Sequence, residues 1–211
     1  MLSGILIMLA AYAAVFSGAE FLLRRGWAPL LTRKSAHAAG GLVSCALPVF
    51  VTQAAAVSIG AGISLLLLAA GRVKVLNSVR AGGGTGAVLF PAGLALSGLF
   101  FWRVEGAVFQ WSALLLALAD PAAAVAGGLW GKRKYSLTGP KTAEGSLLFF
   151  SVSLLIFCAF LYLRQGGLTA GAVAWAGAAA LAVTAVESAL GRGWDNVGVP
   201  LAAGAALMLL K

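Results

Sequence analysis

Eight almost uncharged apolar runs dominate the chain. They fall at roughly 2–23, 36–52, 54–71, 87–102, 107–130, 143–163, 168–190 and 196–210. A helix needs ~20 residues of this kind to cross ~30 Å of hydrocarbon. Backbone immersed in lipid must satisfy its own hydrogen bonds, and a helix does so within one segment. The runs therefore predict an all-α, polytopic integral membrane protein with about seven or eight transmembrane helices. The last run is short and is expected to be tilted or re-entrant. No repeat of fixed period is present, and residues 1–211 are expected to form a single transmembrane domain.

Composition narrows the function classes. Apolar residues make up 61% of the 211 residues and charged ones 10%, with a mean hydropathy of +0.98. A soluble domain carries ~25% charged residues. A soluble enzyme, a disordered chain and a disulfide scaffold are thereby excluded. Cys45 and Cys158 lie in apolar runs without metal-ligand spacing and read as free thiols. The first charge is Glu20, followed by Arg24 and Arg25, so the start resembles a membrane helix with its basic end trailing, not a signal peptide.

The connections between runs carry the orientation. Counted alternately, one side receives Arg24, Arg25, Arg33, Lys34, Arg72, Lys74, Arg80, Lys132, Arg133, Lys134, Lys141 and Arg192. The other side receives Arg103, Arg164 and Lys211. The positive-inside rule turns this split of 12 to 3 into a cytoplasmic first side and an N-terminus outside. It also explains the net charge of +9 without a nucleic-acid partner. The inner connections are long, polar and rich in glycine, so the active site is expected on the cytoplasmic face. A bacterial-type cytoplasmic membrane is the expected location, with an organellar membrane as the alternative.

Only six acids are present, and lipid explains few of them. Glu20 pairs by spacing with Arg24, and Glu105 sits beside Arg103 in an outer connection. Asp120, Glu144, Glu187 and Asp195 lie in or beside spans, where an ionisable group costs at least ~2.5 kcal/mol unless paired or hydrated. Asp120 follows thirteen uncharged residues and precedes Pro121. That placement reads as a helix N-cap, as a metal-binding carboxylate at a broken helix, or as both. Gly127, Gly128 and Gly131 with Lys132 suit either a phosphate-binding backbone or GxxxG helix packing. Lys141, Thr142 and Glu144 open a helix, where phosphate and metal binding are favoured. Arg33, Lys34 and His37, the single histidine, share one face of the second helix. Glu187 precedes Arg192 and the pair Asp195 and Asn196, which read as site residues or as a helix cap. The run Gly82, Gly83, Gly84, Thr85, Gly86, with Arg72, Lys74 and Arg80, reads as a lid over an anionic ligand or as a linker.

Taken together these motifs resemble a known family. Asp120-Pro121-x-Ala123-x3-Gly127-x3-Gly131-Lys132, followed by Lys141-Thr142-x-Glu144-Gly145-Ser146, is similar to the CTP-using membrane enzymes. These include dolichol kinase, phytol kinase, the CTP-dependent diacylglycerol kinase and, more distantly, phosphatidate cytidylyltransferase. Arg33-Lys34-x2-His37, and Glu187 with Asp195-Asn196-x3-Pro200, look like motifs of the polyprenol and phytol kinases. The resemblance covers roughly residues 33–200. The acidic and histidine-rich signature of the cytidylyltransferases is absent, and the chain is short beside eukaryotic dolichol kinases.

The resemblance implies a CTP-dependent kinase that phosphorylates an isoprenoid alcohol, with Mg²⁺ on the triphosphate. It implies metal binding by Asp120, Glu144 and Glu187, and catalytic roles for Asp120, Lys141, His37 and Asp195. Nucleotide contacts are expected from Arg33, Lys34, Gly127, Gly128, Gly131, Lys132, Thr142 and Asn196. Asp120, Asp195 and His37 each qualify as the general base. The alternatives are CMP transfer to a lipid phosphate, diacylglycerol as the alcohol, and a transporter or scaffold that uses the glycines only for packing. The expected partners are the two substrates and the bilayer, and a homo-oligomer is compatible with the sequence.

Overall fold

The computed structural model describes residues 2–73, 76–80, 85–104, 107–136 and 140–209. Lys74, Gly82, Gly83, Gly84, Glu105, Gly139, Lys211 and the side chains of Arg72 and Arg80 lie outside the described residues, and with them most of the lid reading. The elements are α1 (Leu2–Arg24), α2 (Pro29–Cys45), α3 (Leu47–Phe50), α4 (Gln53–Val73), α5 (Asn77–Arg80), α6 (Thr85–Phe101), α7 (Val108–Trp130), β1 (Lys134–Ser136), β2 (Pro140–Thr142), α8 (Ala143–Gln165), α9 (Ala170–Ala189) and α10 (Asp195–Met208). Each apolar run carries one main helix, from 14 residues in α10 to 23 in α1, α7 and α8. Among the described residues α1, α4, α7, α8 and α9 are long and apolar enough to cross a membrane, and α6 is apolar but shorter.

α7 is the centre, packed against α2, α6, α8 and α10. Its inward residues are small or fully buried: Ala113, Leu115, Leu116, Ala117 and Ala119. Small side chains let helix backbones approach where lipid supplies no hydrophobic drive. A Cβ on Gly41 of α2 would lie 2.4 Å from the Ala117 Cβ, so the two helices meet there in near-backbone contact. The outer helices turn large apolar side chains outward, among them Leu65 and Leu66 of α4 and Leu155 and Leu163 of α8. α4 packs on α6, α9 on α8 and α10, and α1 on α2.

Two local features differ from the sequence reading. The helix does not break or begin at Asp120: α7 runs on through Pro121. A proline removes one hydrogen bond and crowds the preceding turn, which membrane helices tolerate when neighbours pack around the freed carbonyl. α2 begins at Pro29, where the missing N–H belongs to an unpaired first turn anyway. Arg33 and Lys34 are therefore inside the helix and not in the connection before it. It ends at Cys45, beyond which Pro48 has no N–H to return. The Gln110 amide donates to the carbonyl left at Cys45, at 3.0 Å.

A short antiparallel hairpin interrupts the otherwise helical chain. β1 and β2 pair with Tyr135 opposite Lys141. Thr142 closes the hairpin and caps α8, its hydroxyl accepting from the Gly145 N–H at 3.1 Å. Gly127 lies under the same threonine: a Cβ there would be 2.7 Å from Thr142 Oγ1. Gly131 is as close to the Thr142 methyl, and Gly128 faces Leu30. The glycine series thus packs the end of α7 against the start of α8.

Candidate active site

Two ion clusters stand at one end of the bundle. In the first, Lys34 Nζ of α2 donates to Asp120 Oδ2 of α7 at 2.6 Å. His37, one turn further along α2, places Nε2 at 3.2 Å from the Leu116 carbonyl and 3.4 Å from Asp120 Oδ2. A carbonyl only accepts, so the contact assigns the proton to Nε2. The Phe90 ring lies against the imidazole, with centroids 4.0 Å apart. The close approach of Gly41 to Ala117 is what lets these short reaches meet.

In the second cluster, Lys141 of β2 donates to Glu187 Oε1 of α9 and, at 2.9 Å, to Asp195 Oδ2 at the start of α10. Burial alone would lower the Lys141 ammonium, but the Asp195 and Glu187 carboxylates outweigh it and hold the group above the ordinary lysine range. The clusters share one field, since Lys141 also acts on Asp120. Asp120 and Glu187 are only 7% and 4% exposed. Carboxylates this buried need such partners to stay charged.

The hairpin sets the position of Lys141. Tyr135, opposite it in register, directs its hydroxyl to Ser188 Oγ of α9 at 2.9 Å and to Ser146 Oγ of α8. Ser188 in turn reaches Glu187 Oε2 at 3.4 Å. Sequence reasoning quoted Ser146 only within a motif and missed Tyr135 and Ser188, because the contacts that tie β1 to α8 and α9 leave no local pattern. The only signal was a polar stretch between two apolar runs.

Beside both clusters a cavity of about 440 Å³ opens among α1, α2, α4, α6, α7 and α10. Arg33, Lys34, His37, Asp120, Arg192, Asp195 and Asn196 line its head, and the rest of its wall is mostly apolar. Asn196 is 6% exposed, donates to the Gly86 carbonyl at 3.2 Å and leaves its Oδ1 without a partner among the described residues. Gly193 closes this corner with φ of +92°, and a Cβ on it would lie 2.5 Å from the Gly86 Cα. Only glycine serves such a position.

The other expected site residues lie apart from this head. Glu144 accepts the Arg133 N–H with both oxygens at 3.3 Å and so ties the base of the hairpin. Lys132 is exposed beyond the end of α7. Glu20 pairs with Arg24 at 3.7 Å and accepts the Ser78 N–H of α5 at 3.3 Å. Among the described residues no group of three His, Cys, Asp or Glu side chains is arranged to hold a metal ion. Mg²⁺ does not require one: it is commonly held by one or two carboxylates plus substrate phosphates. Asp120 and Asp195, both lining the cavity head, fit that kind of site.

Comparison with known proteins adds one relative. The chain is 33% identical over 200 residues to a phytol kinase from Synechocystis sp., covering 89% of this chain and 83% of the relative. No family model matches the chain. No solved structure matches it either.

Proposed function

The chain belongs to the phytol kinase family, and from that premise we propose that it transfers the γ-phosphoryl group of CTP to the hydroxyl of a membrane isoprenoid alcohol of the phytol type. One observation carries the reading: a single cavity has an ionic head and an apolar body. The head suits a triphosphate and a hydroxyl, and the body suits an isoprenoid chain. Nucleotide entry from the cytoplasm accords with the basic connections gathered on the side of the head.

Phosphoryl transfer needs positioning and charge neutralisation more than covalent chemistry by the protein. The alcohol oxygen attacks the γ-phosphorus as the bond to the β-phosphate oxygen breaks. The hydroxyl proton passes to Asp120, Asp195 or His37, and the nucleoside diphosphate leaves. Lys34, Arg33 and Lys141 offset the negative charge of the phosphates; the motif also assigns Lys132 and Thr142 to the nucleotide, although both lie apart from the cavity head. Asn196 offers Oδ1 as an acceptor. Mg²⁺ held by Asp120 and Asp195 would supply further charge neutralisation on the triphosphate.

The experiment is product analysis on purified protein in detergent, with Mg²⁺, phytol and geranylgeraniol. CTP labelled at the γ-phosphate should label the lipid, and CTP labelled at the α-phosphate should not. Label from the α-phosphate in the lipid would overturn the reading in favour of nucleotidyl transfer. ATP run in parallel tests the choice of donor.

A further inference from the structure

The cavity continues far beyond its ionic head. One face of α2, extended by the first residue of α3, lines it with Lys34, His37, Gly40, Ser44 and Leu47. At ~1.5 Å per residue that stripe is about 20 Å long, some two-thirds of a ~30 Å hydrocarbon layer. α6 lines the same bore with Phe90, Leu94 and Gly98, again at helical spacing. Thr85 stands near Asn196 at the head, and the two hydroxyls further down the wall, Tyr12 and Ser44, are both spent. Ser44 donates to the Gly40 carbonyl at 2.8 Å and accepts from the Tyr12 hydroxyl at 2.8 Å. Below the head the bore therefore offers a ligand little besides apolar contact.

The far end is stopped by Leu47 and Phe109, which are 4% and 2% exposed. The Phe109 ring is backed by Trp102, with centroids 5.2 Å apart. About halfway down, Gly40 leaves the bore open: a Cβ there would meet only the edge of Phe90, at 3.5 Å. Its neighbour Gly41 has no such freedom, because it abuts Ala117.

We infer that Gly40, Leu47 and Phe109 determine the length of the alcohol this enzyme accepts: Gly40 leaves room for one chain to pass, and Leu47 with Phe109 stops it. The inference rests on the reading of the reaction given above and adds the residues that select the chain. The bore takes one chain of diterpenoid length. The cavity's 440 Å³ is at the lower end of the ~300–1,000 Å³ usual for ligand pockets, which suits one chain.

The test compares the wild type, Gly40→Leu and Leu47→Ala on farnesol, geranylgeraniol, phytol and a long polyprenol. kcat/KM is measured for each alcohol, and protection against thermal unfolding by each alcohol is measured without nucleotide. In Gly40→Leu the ratio of kcat/KM for phytol over that for farnesol should fall about tenfold or more, the scale on which a pocket discriminates small changes in apolar bulk. Its thermal protection should end at farnesol. Leu47→Ala should move both profiles towards longer chains. Identical length profiles in all three proteins would overturn the inference. If the wild type phosphorylates none of the alcohols, the reading of the reaction fails instead. Thermal protection alone then decides the inference: a length limit that shifts with Gly40→Leu supports it, and one that does not shift refutes it.

Discussion

Lys34 and Lys141 each hold carboxylates that would be costly to keep charged alone at this depth. Removing one partner of a buried pair costs about 3–5 kcal/mol, whereas replacing both is often neutral. Lys34→Met should therefore destabilise the protein strongly, and Lys34→Met with Asp120→Asn should recover much of the loss. The thermal midpoint in detergent measures both, and additive losses would contradict the pairing. Lys141 sets a pH dependence of known sign. Its ammonium is held above the ordinary lysine value, so its contribution is full below pH ~10.4 and is lost as pH rises through the higher folded value. The midpoint difference between the wild type and Lys141→Met should stay level from neutrality to about pH 10 and shrink above it. At this scale the sequence showed which charges need partners, because a charge inside an apolar run demands one. It did not say which partner: Lys34 and Asp120 are 86 residues apart. Glu144 shows the limit of such reasoning, since a helix N-terminus favours an acid whether it binds a ligand or, as here, its own hairpin.

The helices were legible as elements because 20-residue apolar runs permit little else. Pro121 was misread, since proline breaks a helix in water more readily than in a packed bundle. The hairpin of β1 and β2 was invisible, being held by contacts to α8 and α9 that no local pattern announces. It is also the element that carries Lys141. Tyr135→Phe keeps the ring and deletes the hydroxyl that bonds Ser188 and Ser146. A hydrogen bond is worth about 0.5–1.5 kcal/mol net, so KM for the nucleotide should rise up to about tenfold while the fold stays intact. A wild-type KM in Tyr135→Phe would mean that the hairpin does not position Lys141.

At the scale of the whole molecule, α7 organises both packing and chemistry. Its small residues bring α2 and α8 close, and the same contacts deliver Lys34, His37 and the hairpin to Asp120. The cavity was not legible in the sequence, because it arises from stripes on several helices that meet only in the fold. The central claim is that its ionic head transfers phosphate to an isoprenoid alcohol. The most direct measurement is formation of phytyl monophosphate from CTP and phytol by the wild type and by Asp120→Asn, each first shown to be folded and monodisperse. Phosphorylation by the wild type and its loss, by orders of magnitude, in Asp120→Asn are the expected results. Equal rates in the two proteins would contradict the claim.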